Sequence, residues 1–397
     1  MFIGKFLGSI LLIIGTSIGG GMLALPVATA SGGFFWSAIC FILCWTIMTA
    51  GALLILECLQ PLPIGSNMIT MARHYLGRSG EIAIWFLYFA LLYSLLGAYI
   101  SGGSDVLSNV LQQLHIQLPN YFLSSIYTLG FSLIIYCGIK WVDYVNRGLM
   151  FGKLGAYAVL VFVIAPFVVP QHFTHGHFKN LLPNFSILIT SFGFASIVPS
   201  LRDYWQNDIK SLKKIILWGS LVPLFCYLVW NFVIMGAISP NSPHNLAQLV
   251  HSSHAISGLG QGLGETTQSS LILKLFDVFS AVCMLTAFLS VSLGLFDFVA
   301  DGLHLKKTGK QGLLTMALTF LPPLILVILN PGVYLKALNY AGVFCVMLLL
   351  FFPVLMTWQA RKFKPENLHL IPGQTPSLIL LFIAALFSIV IPYATSS

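Results

Sequence analysis

Charged side chains are scarce in this chain. Asp, Glu, Lys and Arg together make up 8 % of its 397 residues, against about 25 % in a soluble domain. Apolar residues make up 57 %, and the mean hydropathy is +0.91. That much apolar surface does not fit inside a water-soluble core, so a polytopic membrane protein is expected. Cysteine is sparse and unpatterned. The seven Cys (40, 44, 58, 137, 226, 283 and 345) lie in or at the ends of apolar runs and form no Cys-x-x-Cys. They read as small apolar fillers rather than disulfides or metal ligands. There is no phosphate-binding loop, no convincingly spaced Ser/His/Asp set and no nucleic-acid motif. Histidines outside the loops are too few for a zinc enzyme, and His172, His175 and His177 share one outer loop, where they read as solvated. No metal, cofactor or nucleic-acid partner is expected. The net charge of +8 is assigned to membrane topology.

Long apolar runs are abundant. Eleven can cross a hydrocarbon core about 30 Å thick: roughly 6–30, 34–59, 81–111, 121–139, 147–169, 185–205, 212–238, 271–302, 312–329, 332–358 and 377–393. With a cytoplasmic N-terminus, 16 of the 19 Lys and Arg fall on the inner side, and only Lys179, Lys274 and Lys336 fall outside. That asymmetry follows the positive-inside rule and puts the C-terminus in the periplasm. A cleaved signal over the first run fits poorly, because its n-region holds only Lys5 and the run is echoed later in the chain. The spans divide as five, five and one: a first repeat over 1–170, a second over 185–360 and an added span at 377–393. A repeat of odd length inverts the second half relative to the first. Residues 66–77 pattern as a short amphipathic helix on the inner surface. The longest outer loop, 239–268, ends in a glycine-rich stretch (258–264) that reads as a flexible hinge to a lid or as plain connection.

The focal stretch is Gly15-Thr16-Ser17-Ile18-Gly19-Gly20-Gly21-Met22-Leu23-Ala24-Leu25-Pro26, in the middle of the first run. Consecutive glycines and a proline are poor helix formers. Inside a bilayer the freed backbone groups need partners, so such a break is tolerated where it lines a cavity. A second stretch echoes it in span 6: Thr190-Ser191-Phe192-Gly193-Phe194-Ala195-Ser196-Ile197-Val198-Pro199. Matching interruptions in two halves point to a transporter's binding site. The competing reading is close helix packing through the Gly15/Gly19 pair.

Broken helices present N–H groups at one end and C=O groups at the other, which suit an amino acid's carboxylate and ammonium. Thr16, Ser17, Gly19, Gly20 and Gly21 are the candidates for the charged head. Ser191, Phe192, Gly193, Phe194 and Ala195 are candidates for the other half. In span 3, Tyr93, Gly97, Ser101 and Ser104 share one small, polar face. Tyr93 is then a candidate hydrogen-bond donor to substrate, or a structural tyrosine bonded to a neighbouring helix. Lys153, about two turns into span 5, either snorkels to the inner surface or places a fixed ammonium at the first break, where it carries a proton in place of a metal ion. Ser290 and Ser292 are its candidate partners. Asp297 and Asp301, one turn apart near Lys306 and Lys307, read as an inner gate or topology salt bridges.

The first break, Asn146-Arg147 with Lys153, Thr190-Ser191-Phe192-Gly193-Phe194, Gly294-Leu295-Phe296-Asp297, Thr319-Phe320-Leu321-Pro322-Pro323 and Tyr340-Ala341-Gly342-Val343 together resemble the bacterial aromatic amino acid permeases. That group, with its tyrosine-specific branch, lies within the hydroxy/aromatic amino acid permease family. The resemblance covers essentially the whole chain. It implies an all-α membrane protein of eleven transmembrane helices with a LeuT-type five-plus-five inverted repeat, helices 1 and 6 broken and one helix added. It also implies proton symport of tyrosine or a related aromatic amino acid across a bacterial inner membrane. One departure stands out: Ala195-Ser196 replaces the family's usual His-Gly after the second break, which touches substrate choice or the proton path. The alternatives are a sodium-coupled or a serine/threonine-type carrier of the same fold. A membrane enzyme or channel is disfavoured, because neither converging acid, base or metal groups nor a ring of repeated polar groups is present.

Overall fold

The computed structural model describes residues 2–136, 139–174, 176–240, 242, 245–250, 252–363, 369–372 and 374–395. All regular secondary structure among the described residues is helical. The helices are α1 (Phe2–Ser17), α2 (Gly20–Thr29), α3 (Gly33–Leu59), α4 (Met68–Gln113), α5 (Asn120–Tyr136), α6 (Ile139–Ile164), α7 (Phe185–Thr190), α8 (Val198–Tyr204), α9 (Ile209–Ala237), α10 (Leu246–Leu249), α11 (Ala255–Thr267), α12 (Ser270–Gly302), α13 (Gly309–Leu329), α14 (Tyr334–Val346), α15 (Phe352–Phe363) and α16 (Gln374–Ala394). A π-helical turn, Met347–Phe351, joins α14 to α15.

Among the described residues, nine stretches are long and apolar enough to cross a membrane, against the eleven expected. The shortfall has a geometric cause. At about 1.5 Å per residue, α1 with 16 residues and α5 with 17 reach only about 25 Å. Across the first break, α2 runs on through a 3₁₀ turn into α3 as one 40-residue stretch. What the apolar pattern counts as one span is therefore two half-helices meeting at a break.

Local chemistry sets several helix boundaries. Asn67 begins α4 with a capping box: its Oδ1 accepts from the N–H of Ile69 and of Thr70, both at 3.0 Å, and its own N–H donates to Thr70 Oγ1 at 2.8 Å. Gly77 then interrupts α4 with φ +72°, a left-handed conformation open to glycine. It separates the surface segment predicted over 66–77 from the long span that follows. Asp208 starts α9 by accepting from Ser211 N–H at 3.2 Å.

The glycine-rich stretch 258–264 is not a hinge. It forms most of α11, whose buried face includes Gly258, Leu259, Gly260, Gly262 and Leu263. A Cβ on Gly258 would lie 2.5 Å from Leu249 and one on Gly260 2.8 Å from Phe276. The glycines serve close packing, and burial overrides their low helix propensity.

The core gathers where α4 packs on α12 and α14, α6 on α12, α7 on α14, and α1 and α3 on α9. Charged groups cluster at helix ends. The Arg361 guanidinium donates to both oxygens of the buried Glu57 carboxylate, at 2.7 and 3.1 Å. Arg202 donates to the carbonyls of Leu62 and Pro63 and to Asn207 Oδ1. Lys307 Nζ lies 2.7 Å from Asp297 and 3.4 Å from Asp301.

Candidate substrate site

Both interruptions lie against one cavity. The first falls after α1, whose last backbone bond runs from Ile18 N–H to the Ile14 carbonyl at 2.8 Å. Gly19 is extended at φ −147° and ψ −152°, and α2 restarts at Gly20 with no side-chain cap. The opening N–H groups of a helix have no intrahelical partner and carry partial positive charge. The second interruption falls after α7. Phe192 N–H turns back to the Ile189 carbonyl at 2.9 Å, a 3₁₀ segment covers Gly193–Ile197, and α8 resumes with Pro199 in its first turn. Proline there costs little, because its missing donor would be unused.

Two tyrosines and a lysine hold the broken ends. The Tyr227 hydroxyl, on α9, lies 2.6 Å from the Ser17 carbonyl and 2.8 Å from the Ser191 carbonyl. One hydroxyl thus ties the carbonyl ends of α1 and α7 together. Tyr334 donates to the Gly20 carbonyl at 2.6 Å. Lys153 on α6, 1 % exposed, donates from Nζ to the Ile18 carbonyl. An ammonium at the C-terminal end of a half-helix meets the negative end of its dipole.

The cavity has a volume of about 390 Å³, within the range of small-molecule sites. Its polar wall carries Thr16, Ser17, Gly19, Gly21, Thr190, Ser191, Gly193 and Ser196. Lys153, Asn146, Thr286 and Ser290 extend it. Its apolar wall comes from α4, with Tyr88, Leu91, Leu92, Leu95 and Tyr99 at helical spacing, and is completed by Met150, Val291, Cys345 and Leu349. Lys153 is the one charged side chain among the described lining residues. The Ser17 hydroxyl is buried without a hydrogen-bond partner in this structure. A buried donor left unmade costs about 1–3 kcal/mol, so Ser17 is poised for a ligand atom.

The sequence-predicted residues divide between the cavity and its surroundings. Thr16, Ser17, Gly19, Gly21, Ser191, Gly193, Lys153 and Ser290 line it. Gly20 is buried one layer behind, where an added Cβ would meet Tyr99 at 2.8 Å and Met284 at 3.1 Å. Phe192 is also buried, its ring edge-on to Tyr227 at 5.2 Å, and Phe194 and Ala195 are fully buried. Tyr93 points elsewhere and donates to the Leu318 carbonyl. Ser290 accepts from Asn146 Nδ2 at 3.2 Å and donates to the Thr286 carbonyl at 2.8 Å. Ser292 is buried and donates back to the Phe288 carbonyl at 2.6 Å. Of the histidines in the outer loop, His172 Nδ1 lies 2.7 Å from the Gly236 carbonyl, and His175 lies outside the described residues.

Reasoning from the sequence missed Tyr88, Tyr99, Tyr227 and Tyr334. The stripe Tyr88, Leu91, Leu92, Leu95, Tyr99 follows i, i+3, i+4, i+7, i+11, a helical face as regular as the one through Tyr93. Nothing local says which face turns inward. The cavity opens on the side where Leu12, Thr16, Ser290 and Gly294 are exposed, and α2, almost wholly buried, closes the other side.

Two broken helices around a cavity with an ammonium at one carbonyl end are features of a membrane transporter. The profile of the Tryptophan/tyrosine permease family matches residues 3–392, and the chain belongs to that family. It is a transport protein and not an enzyme. Tyrosine-specific transport system 1 of Haemophilus influenzae is 31 % identical, with 98 % of this chain aligned to 97 % of that one. Glutamine transporter 2 of Aliivibrio fischeri is 30 % identical, with 92 % of each chain covered. Among solved structures, a manganese transporter of Eremococcus coleocola shares the fold, with a TM-score of 0.63 at 13 % identity over 98 % of this chain and 86 % of that one.

Proposed function

We propose that this permease imports tyrosine or a related aromatic amino acid by proton symport across a bacterial inner membrane. The observation that carries the proposal is the meeting of both helix breaks at one cavity, with Lys153 on the Ile18 carbonyl. The substrate carboxylate faces the opening N–H groups of α2 at Gly19, Gly20 and Gly21 and accepts from Ser17 Oγ. Its ammonium faces the carbonyl end of α7 near Thr190 and Ser191. The ring lies along Tyr88, Leu91, Leu92, Leu95 and Tyr99, where aromatic contacts add to apolar burial. With Lys153 as the one charged lining side chain, a neutral substrate side chain is favoured over an acidic or basic one.

Lys153 is the proton carrier in this reading. As an ammonium it holds the carbonyl end of α1 where sodium-coupled carriers would place a cation. Loss of its proton removes the charge that meets the negative end of α1, weakens that bond and frees the break to rearrange. The exposed side of the cavity is cytoplasmic by the positive-inside rule, so the structure is inward-facing. The eleven-span topology follows if α1 with α2, and α7 with α8, each count as one broken span. The five-plus-five inverted repeat over 1–170 and 185–360, with 377–393 added, belongs to the same proposal. The spans 1, 2, 6 and 7 then rock as a bundle against spans 3, 4, 8 and 9.

The test is uptake of labelled tyrosine, tryptophan, phenylalanine, serine and glutamine into proteoliposomes, with a pH gradient and a sodium gradient imposed separately. Accumulation of an aromatic substrate driven by the pH gradient alone is expected. Accumulation driven only by sodium overturns the coupling. Preference for glutamine or serine overturns the substrate class.

A further inference from the structure

A second cavity lies away from the candidate substrate site, among three apolar helices. It has a volume of about 270 Å³ and is lined by α4, α5 and α12. Its α4 wall is the stripe Gly103, Val106, Leu107 and Val110, which runs about 10 Å along the helix. The α12 wall includes Ala281, Val282 and Leu285. The cavity is open laterally: Val110 is 37 % exposed, Ala281 is exposed, and Leu107, Val282 and Leu285 are half-buried.

One lining residue does not fit an apolar groove. Tyr127 is 6 % exposed, and its hydroxyl is buried with no hydrogen-bond partner. Its ring is fixed edge-on against Phe131 at 5.0 Å and Phe288 at 5.3 Å. Glycine at 103 leaves room for the phenol, because a Cβ there would lie 2.5 Å from the Tyr127 oxygen. The hydroxyl is thus held at the cavity wall by packing, not by a polar partner. Leaving such a donor unmade is costly, and in hydrocarbon no water is at hand to satisfy it.

We infer that this cavity binds a phospholipid acyl chain, with the lipid's ester carbonyl accepting from Tyr127 Oη. The lining offers one donor, no charge and otherwise apolar surface. A zwitterionic amino acid would leave both its charges unpaired there, and a fatty acid would leave its carboxylate unpaired. An ester carbonyl on a hydrocarbon chain matches the one donor and the open side toward lipid. Met284 links this cavity to the first helix break. It lines the cavity, and its sulfur lies 3.1 Å from where a Gly20 Cβ would stand. The lipid site stands independently of which substrate the transporter carries.

The test is photocrosslinking of the full-length protein in vesicles containing a phospholipid with a diazirine in one acyl chain, followed by peptide mapping. Adducts are expected to concentrate on residues 103–110 and 281–285. Tyr127→Phe keeps the ring and removes the donor, and should lower those adducts about five-fold. Adducts on α16 around Leu380, which is 68 % exposed, should stay unchanged. Ala281→Trp should block the cavity and remove the adducts. An ether-linked analogue, which lacks the ester carbonyl, should label the wild type as weakly as the ester lipid labels Tyr127→Phe. Labelling spread evenly around the protein, or equal labelling by ester and ether lipids in wild type and Tyr127→Phe, overturns the inference. Tyr127→Phe carries the test alone should Ala281→Trp fail to fold.

Discussion

The most searching perturbation of the candidate site is Tyr227→Phe. The hydroxyl lies 2.6 Å from the Ser17 carbonyl and 2.8 Å from the Ser191 carbonyl, and it has one proton to share between them. Phenylalanine fills the same fully buried space and keeps the edge-on contact with Phe192, so packing is preserved. The substitution strands a buried carbonyl at about 1–3 kcal/mol. The two carbonyls end α1 and α7, so their separation sets the geometry of both breaks. If that cost falls on the binding-competent arrangement, substrate affinity drops roughly 5- to 150-fold. The assay is equilibrium binding of labelled tyrosine to purified protein, with thermal unfolding measured in parallel. Tyr75→Phe is the control: its hydroxyl donates to the Cys58 carbonyl at 2.9 Å, and neither residue lines the cavity. It should lose similar stability and keep its affinity. Native affinity in Tyr227→Phe would refute the reasoning.

Four further outcomes are expected. Lys153→Ala should abolish accumulation driven by a pH gradient while leaving counterflow exchange, and unaltered proton-driven uptake would remove Lys153 from coupling. Gly20→Ala should destabilise by about 1–3 kcal/mol through overpacking, since its Cβ would lie 2.8 Å from the Tyr99 ring. Gly19→Ala, whose Cβ would lie 3.6 Å from Ala287, should be tolerated, and parallel melting curves decide between them. Tyr93→Phe should leave substrate binding unchanged, because that hydroxyl serves the Leu318 carbonyl; a several-fold loss in the binding assay would return Tyr93 to the site. The fourth concerns the closed side. His254 Nδ1 lies 2.9 Å from Asp105 Oδ1, beside the Ile256 and Ser257 N–H groups that the same carboxylate accepts at the start of α11. The hydrogen bond with Asp105 raises the His254 pKa above its ordinary 6.5. A raised folded value means that the stabilisation is full below 6.5 and fades as pH rises through the folded value. Hydrogen exchange of α11 should therefore quicken from acid toward neutral and alkaline pH in the wild type, beyond the intrinsic increase. In His254→Gln it should follow the intrinsic rate, and identical profiles would dismiss the pair.

Much of the architecture was legible before any coordinates, because hydrocarbon imposes simple demands. Long apolar runs marked most of the spans, and a run of glycines marked where the first helix stops. The break at Gly19 could be read for that reason, as could Thr16, Ser17, Ser191, Gly193 and Lys153 as neighbours of the cavity. The count of spans was less legible, since α1 and α5 are too short for length alone to classify.

Tertiary structure decided what depends on rotation and on distant partners. Span 3 carries Tyr88 and Tyr99 on one face and Tyr93 on another, and packing against α12 and α14 turned the first face to the cavity. The carbonyls of Ser17 and Ser191 are held by one hydroxyl 210 and 36 residues away, a closure that no local pattern announces. Glycines that promise a loose hinge in isolation became the close-packed face of α11, because neighbouring side chains filled the space they left. The sequence by itself determined where the helices had to break, since backbone propensity and the solvent act residue by residue. Only the folded chain determined which broken ends meet, and which side chains close around them.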